Sequence, residues 1–412
     1  MDCPAKRQVI TFGCRLNACE SERIQEFADE LGISDFTIIN TCAVTAEAER
    51  KLRQAIRKLH NENNNIQIIL TGCASELNPD LYLKMDGVVA IISNKFKLSK
   101  DRYIDYSSRD LDTTEDRPQT ISKKVRAFLQ IQNGCDQKCT YCVVRIARGH
   151  NISFAMEDIA TQAKRLLHKG YKEIALTGVN ISAYGRDMNP QSNLAEIIRY
   201  LLKNVPEMKR LRLSSIDPAD IDSELIDVLT SEERLMPHLH ESVQSGDNMI
   251  LKRMLRRHSR EQIIETNEKI LQLRPEMIFG ADIIVGFPTE TDEMFDNTKK
   301  LLAEAKVTLS HVFPFSRRPG TPAALMSPIK KSIVQNRAKE LREFSSKILS
   351  AKLSEYVGKE FVVLAETAAI AKTNSFLPVK SLDSMIPGKE YAILCASQNN
   401  DQISGKIISE VS

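Results

Sequence analysis

The sequence predicts an α/β chain in three parts: an N-terminal parallel βα domain, a central partial (β/α)6 barrel and a small C-terminal all-β barrel. Three observations predict it. Short apolar runs alternate with amphipathic stretches across residues 8–98 and again across 124–320, and such alternation builds parallel sheets. A polar, charged, aperiodic stretch at 99–123 separates the two series, as a linker would. Beyond residue 357 the helical period disappears and brief apolar runs stand between polar turns, the pattern of a small barrel.

The first series opens with the strand Val9-Ile10-Thr11-Phe12 and a helix over 17–31. Phe36-Thr37-Ile38-Ile39 is the second strand, followed by a helix over 46–61. Ile66-Gln67-Ile68-Ile69-Leu70 and Val88-Val89-Ala90-Ile91-Ile92 are the third and fourth. A cysteine follows each of the first three: Cys14 in Phe12-Gly13-Cys14, Cys42 in Asn40-Thr41-Cys42 and Cys73 in Thr71-Gly72-Cys73. Equivalent ends of parallel strands share one sheet edge, so three thiols distant in sequence should converge there. Three small buried cysteines are the ordinary alternative. Their placement at three strand ends favours a three-cysteine metal site.

The second series opens with Ala127-Phe128-Leu129-Gln130-Ile131, which reads as a buried strand. Asn133-Gly134 breaks it. Cys135, Cys139 and Cys142 follow in a CxxxCxxC array on the loop, where α/β folds place their chemistry. Three thiolates so close on a loop suit an iron–sulfur cluster. Four would saturate a cubane; three leave one iron open to a ligand. A zinc site with His150 as fourth ligand is the alternative, but zinc knots usually use two such knuckles.

Helices are expected over 156–169, 194–203, 223–230, 248–255, 260–273 and 290–304. The strands between them are Glu173-Ile174-Ala175-Leu176, Arg210-Leu211-Arg212-Leu213, His238-Leu239-His240-Glu241-Ser242-Val243, Ala281-Asp282-Ile283-Ile284-Val285 and Leu309-Ser310-His311-Val312-Phe313. The loops after these strands carry small or polar residues, which let a backbone approach a ligand closely. Thr177, Gly178, Asn180, Ser215, Gln244, Gly286 and Pro288, with Tyr141 in the cysteine array, are the expected cofactor-binding residues. Residues 328–356 read as one long amphipathic helix. Phe361-Val362-Val363-Leu364, Leu377-Pro378-Val379, Tyr391-Ala392-Ile393-Leu394 and Gly405-Lys406-Ile407-Ile408 read as the strands of the last domain.

Composition narrows the class. The chain has 412 residues, 42% of them apolar, so each part can bury a core. No stretch reaches the length of a transmembrane helix, and residues 1–10 lack a signal-peptide apolar segment, so a cytoplasmic location is expected. Nine cysteines in a reducing compartment argue for metal or redox use rather than disulfides. A net charge of +3 makes any nucleic-acid contact a matter of local patches. Lys252, Arg253, Arg256, Arg257, Arg317 and Arg318 are the candidates.

The CxxxCxxC array with aromatic Tyr141 before its last cysteine resembles the radical S-adenosylmethionine (SAM) signature. With Cys14, Cys42 and Cys73 placed as well, nearly the whole chain resembles the methylthiotransferases, a radical SAM family. The resemblance implies an N-terminal methylthiotransferase domain (1–98), a linker (99–123), a radical SAM core with a trailing helix (124–356) and a TRAM-like RNA-binding barrel (357–412). It implies two 4Fe–4S clusters, SAM, a tRNA substrate, and an electron donor such as flavodoxin or ferredoxin. Thr11-Phe12-Gly13-Cys14-Arg15-Leu16-Asn17, Leu176-Thr177-Gly178-Val179-Asn180, Arg210-Leu211-Arg212-Leu213-Ser214-Ser215 and the run 311–322 resemble most the MtaB-type branch. That branch adds a methylthio group to C2 of N6-threonylcarbamoyladenosine at tRNA position 37. The isopentenyladenosine branch and the branch acting on a ribosomal-protein aspartate are the alternatives within the family. A zinc-stabilised, non-catalytic RNA-binding protein is the alternative outside it. Two residues depart from the family pattern: Arg145 where Pro is common, and Glu241 where an apolar strand residue is usual. Both are expected at the active-site rim. The C-terminal barrel is expected to grip tRNA, so that its removal spares SAM cleavage.

Overall fold

A computed structural model describes residues 9–106, 125–399 and 401–411. Residues 107–123 of the expected linker lie outside the described residues. Its first part, Lys100–Tyr106, is a 3-10 turn. The chain forms two compact units. One comprises Met1–Thr120, Asn133–Ile152 and Ser316–Ala324; the other comprises Ile121–Gln132, Ser153–Phe315 and Leu325–Ser412. The cysteine loop therefore clusters with the N-terminal sheet, not with the strand that leads into it.

The first unit is built on a four-stranded parallel sheet, β1 (Val9–Thr11), β2 (Phe36–Thr41), β3 (Gln67–Gly72) and β4 (Val88–Ile92), in that order. Helices α1 (Arg15–Leu31) and α2 (Ala46–Glu62) connect its first strands. The Thr45 hydroxyl caps α2 by accepting from the Ala48 N–H at 3.1 Å, and Glu47 and Glu49 in its first turn suit the helix dipole. Gly32 ends α1 in the left-handed conformation at φ 62°. Two short helices, α3 (Cys73–Leu77) and α4 (Pro79–Leu83), follow β3, and α5 (Val144–Arg148) follows the cysteine loop. Val143 and Ala147 pack into the same apolar cluster as Ile39, Leu52 and Leu70.

The second unit holds six parallel strands: β5 (Arg126–Gln130), β6 (Glu173–Thr177), β7 (Leu211–Leu213), β8 (His238–Gln244), β9 (Ile278–Val285) and β10 (Val307–Pro314). They pair as β5-β6-β7 and β8-β9-β10. Two isolated parallel bridges, Leu211–Leu235 and Ile216–Glu241, carry the order across the gap. Helices α6 (Met156–His168), α7 (Leu194–Asn204), α8 (Ser223–Ser231), α9 (Asn248–Arg253), α10 (Arg260–Leu273) and α11 (Asp292–Glu304) make the crossovers. Asn193, Asp222, Asp247, Ser259 and Thr291 each cap the helix they precede.

After α12 (Lys331–Ser354) come β11 (Glu360–Ala365), β12 (Ile370–Thr373), β13 (Pro378–Ser381), β14 (Glu390–Gln398) and β15 (Ile403–Val411). They close into a barrel in the order β11-β12-β13-β15-β14. Its core, including Val363, Leu377, Val379 and Ile393, is continuous with Ile278 of β9 and Leu353 of α12. The turn after β12 enters the N-terminal end of the six-stranded sheet. Phe376 there lies against Arg126, Arg212 and His238. Arg126, Arg210 and Arg212 all pair with one fully buried carboxylate, Glu173.

Candidate metal centres and cofactor site

Cys14 caps α1, Cys42 follows β2 and Cys73 opens α3. All three stand on the C-terminal edge of the first sheet. Gly13, at φ +114°, passes so close to Cys42 that a Cβ there would lie 2.8 Å from its sulfur. Burial pushes the Cys42 thiol up to about 11, and the Cys14 and Cys73 sulfurs nearby add to the rise.

The loop of Cys135, Cys139 and Cys142 closes on itself. The Cys135 N–H donates to the Gly149 carbonyl at 3.0 Å and the Cys142 N–H to the Cys139 carbonyl at 3.2 Å. The Val144 N–H donates to the Cys142 sulfur at 3.4 Å. Gly134, at φ +69°, is enforced: any Cβ would lie 1.7 Å from the His150 carbonyl oxygen. Burial pushes the Cys142 thiol up to about 12, reinforced by Cys139, Cys135 and Cys73. Tyr141 is half-buried on the same loop. Arg145 occupies the first turn of α5, where the missing N–H of a proline would cost no bond, so Arg145 leaves that helix intact.

The fourth ligand that a zinc site at the cysteine array would need is turned away from it. His150, the candidate fourth zinc ligand, is exposed, and its Nδ1 lies 2.6 Å from Asp136. Sulfurs bound to one tetrahedral zinc lie roughly 3.8 Å apart, given bonds of about 2.3 Å. Among the described residues, three ligand atoms gather within 4.8 Å at His240, Asp282 and His311, not at either cysteine set.

Arg148, at the end of α5, is the residue sequence reasoning missed. Its Nε–H donates to the Cys73 sulfur at 3.2 Å. Its Nη1 donates to Glu20 at 2.6 Å and to Asn133 at 3.0 Å. Its Nη2 donates to Asn17 at 2.9 Å and to Glu20 at 3.0 Å. All five guanidinium N–H groups are thus engaged. Asn17 in turn accepts from the Cys14 thiol at 3.4 Å. Burial alone would raise the Glu20 carboxyl, but Lys97 and Arg148 override it and hold it down at about 2. An arginine inside the apolar helix after the cysteine array was the only sequence signal.

The loops of the six-stranded sheet gather the expected cofactor residues at its C-terminal end. Thr177 ends β6, and its carbonyl accepts from the Ile131 N–H at 2.9 Å. Gly178 passes Gln132 so closely that a Cβ would meet its side-chain oxygen at 2.8 Å. That oxygen accepts from the Val179 and Asn180 N–H groups at 3.0 and 2.9 Å, so Gln132 fixes the loop. Gln244 takes a left-handed φ of 70° at the end of β8. Gly286, at φ +74°, has another cause than the one expected: a Cβ there would strike Val334 of α12 at 2.5 Å. Its close approach is to a helix, and Pro288 beside it is buried.

Ser215 joins a network the loop-based reading left out. Its hydroxyl lies 3.4 Å from Asp282 Oδ2. Asp282 Oδ1 lies 3.0 Å from His240 Nε2 and 3.2 Å from His311 Nδ1. The three residues stand on neighbouring strands β8, β9 and β10. Gly280 makes room, since a Cβ would lie 2.3 Å from His240 Nδ1. Despite burial, the two imidazoles hold the Asp282 carboxyl well below its usual range. Polar residues at alternate positions of otherwise apolar strands were the signal.

Glu241 is not at the rim. It points to the outer face of β8, fully buried, where Asn267 of α10 donates to its Oε2 at 3.1 Å. Burial pushes its carboxyl up to about 8. Two of the basic candidates are buried and ion-paired. The Arg256 side chain is 5% exposed and bonds Asp217 at 2.9 Å; Arg318 is equally buried and pairs with Glu49. Arg253 bonds the Thr289 carbonyl and Arg317 the Ala324 carbonyl. Arg257, half-exposed, pairs with Asp217 at 3.2 Å and Asp220 at 2.6 Å, and it lines an open cavity of about 380 Å³ together with Lys252 and Arg256.

Residues 129–302 match the radical SAM superfamily, and residues 6–93 match an uncharacterised protein family, UPF0004. A Rickettsia prowazekii protein named threonylcarbamoyladenosine tRNA methylthiotransferase MtaB is 45% identical over 91% of this chain and 91% of its own. The chain belongs to the radical SAM methylthiotransferase family. An Erythrobacter litoralis relative in the same family, named tRNA-2-methylthio-N(6)-dimethylallyladenosine synthase, is 33% identical over 88% of this chain and 87% of its own. The fold also matches the radical SAM methyltransferase TsrM of Kitasatospora setae, at TM-score 0.55 and 13% identity over 75% of this chain and 68% of that one. Membership makes this chain a radical SAM enzyme, which implies a 4Fe–4S cluster and SAM. No helix among the described residues is long and apolar enough to cross a membrane.

Proposed function

We propose that the chain is a tRNA methylthiotransferase that modifies C2 of N6-threonylcarbamoyladenosine at position 37, using two 4Fe–4S clusters. The observation that carries this reading is the presence of two three-thiol sets in one compact unit. Cys135, Cys139 and Cys142 would hold the cluster that binds SAM; Cys14, Cys42 and Cys73 would hold the second. When bound, these groups supply one-electron chemistry at the adenine carbon and the sulfur and methyl it receives.

The chain's own residues bind and orient. Gly134 bends the cysteine loop and Gln132 fixes the Val179 and Asn180 amides. Asp282 holds His240 and His311 in one orientation. Lys252 offers a cation for RNA phosphates beside its cavity, and the C-terminal barrel is a second candidate RNA surface. The adenine must leave its stack to reach such a site. The cytoplasm, with a flavodoxin or ferredoxin as electron donor, fits this role.

The threonylcarbamoyl substrate is favoured over the isopentenyl one by the higher identity to the relative named for it. Mass spectrometry of tRNA nucleosides from a strain lacking the protein tests this. Loss of 2-methylthio-N6-threonylcarbamoyladenosine, with its unthiolated precursor accumulating, supports the reading. Loss of the methylthio isopentenyl nucleoside instead contradicts it.

A further inference from the structure

We propose that Arg148 is the built-in counter-ion and positioning residue of the second iron–sulfur site, the one formed by Cys14, Cys42 and Cys73. This rests on reading those cysteines as cluster ligands. Two independent observations carry it.

The first is a charge count. Arg148, Lys97 and Glu20 form one buried network. Lys97 Nζ lies 2.5 Å from Glu20 Oε2, with side-chain exposures of 1% and 0%. Arg148 Nη1 lies 2.6 Å from Glu20 Oε1, with exposures of 2% and 0%. Two buried cations thus share one carboxylate, leaving one positive charge unmatched. A buried charge without a partner is costly. Three thiolates around a doubly positive iron–sulfur core carry one negative charge between them, which is the complement the network lacks.

The second is direction. The Arg148 Nε–H is donated to the Cys73 sulfur at 3.2 Å, a bond that a thiolate ligand still accepts, while its Nη2 donates to Asn17 at 2.9 Å. The remaining N–H groups are locked by Glu20 and Asn133, so the fork cannot swing away. A lysine would give charge without this geometry. Hydrogen bonds and positive charge beside cluster sulfurs raise the reduction potential. Arg148 therefore sets the potential of the second cluster and keeps Cys73 turned to it. Because it rides on α5, directly after Cys142, it also ties one cysteine set to the other along the chain.

The test uses the full chain with Cys135, Cys139 and Cys142 changed to Ala, so that the remaining set alone can load. After anaerobic reconstitution with iron and sulfide, iron content, the midpoint potential and the rate of iron loss to a chelator are measured. Arg148→Gln should lower the potential and speed iron loss severalfold. Lys97→Gln removes the excess charge but spares the Arg148–Cys73 bond, and should also lower the potential. Arg148→Lys, which keeps the charge but not the fork, should recover the potential only in part, and full recovery would overturn the positioning role. An unchanged potential in Lys97→Gln, or in a folded Arg148→Gln, overturns the proposal. If the parent variant takes up no iron, the cluster reading itself falls, and this proposal with it.

Discussion

The ring of Phe376, in a turn of the C-terminal barrel, stands 4.9 Å from the guanidinium of Arg212 on the inner face of the six-stranded sheet. Arg126 and Lys372 lie at 4.9 and 5.0 Å from the same ring, and the ring of His238 at 4.9 Å. Phe376 holds φ at 72°, a conformation an aromatic residue keeps only under constraint. The barrel is thus a stopper at the N-terminal end of the sheet, opposite the loops that gather the cofactor residues. Phe376→Ala should cost about 2 kcal/mol or more, from lost packing and cation–π contact, read by denaturant unfolding. Deleting residues 357–412 should lower stability and SAM cleavage together. The expectation from sequence was that SAM cleavage would survive the deletion; a truncated chain with unchanged Tm would restore it.

Glu173 is the hub of that end. Burial alone would raise its carboxyl, but Arg212, Arg126 and Arg210 hold it down at about 2. A depressed carboxylate stabilises the fold above its unfolded value of 4.5 and loses that contribution as pH falls toward 2. Glu173→Gln should therefore destabilise by about 3–5 kcal/mol at neutral pH, because it strands buried guanidinium groups. The difference from the parent should shrink on acidification through that window. Equal stability at pH 7 would show the pairing to be dispensable.

Glu241 works in the opposite sense. Its carboxyl rises from 4.5 to about 8 by burial, so the stability it permits is full below pH 4.5 and is lost as pH rises toward 8. Its Oε1 and the Oδ1 of Asn267 are both without hydrogen-bond partners. Glu241→Gln would supply a donor between them and remove the ionisation cost. The variant should gain on the order of 2 kcal/mol at pH 8 and little at pH 5. A variant less stable than the parent at both values would refute this.

The long elements were legible because their patterns are local. Val88–Ile92 and Arg260–Leu273 carry their own periods and have the predicted bounds. The strand Ile370–Thr373 was not foreseen: Ala and Lys interrupt it, and neighbours in the barrel decide it. Helices α3, α4 and α5 have five residues each, too short to show a helical period. The thiols were legible because each ends a strand or shares a tight array. Arg148 was not, because its partners come from three separate segments: Asn17 and Glu20 from α1, Cys73 from the start of α3 and Asn133 from the turn before the cysteine loop. Glu241 was misplaced because its side of the strand depends on register.

The basic candidates separate by burial. Lys252→Ala should weaken tRNA binding and reduce its salt dependence by about one ion, as loss of a phosphate contact does. Arg256→Ala should instead destabilise the fold, by removing a buried guanidinium that bonds Asp217 and the Ser242 carbonyl. A filter-binding salt titration alongside thermal unfolding distinguishes them. Equal tRNA affinity in Lys252→Ala would remove that face from the interface.

The division of labour between the two cysteine sets is tested most directly by Cys42→Ala. 5′-Deoxyadenosine and methylthiolated nucleoside are quantified side by side, under anaerobic reduction, with unmodified tRNA as substrate. Cys135, Cys139 and Cys142 remain in this variant, so SAM cleavage should persist, whereas Cys139→Ala should abolish it. Cys42→Ala should nonetheless give no methylthiolated nucleoside, because the second set can no longer deliver sulfur. Full methylthiolation by folded Cys42→Ala, or loss of its SAM cleavage while the other cluster is retained, would contradict the account.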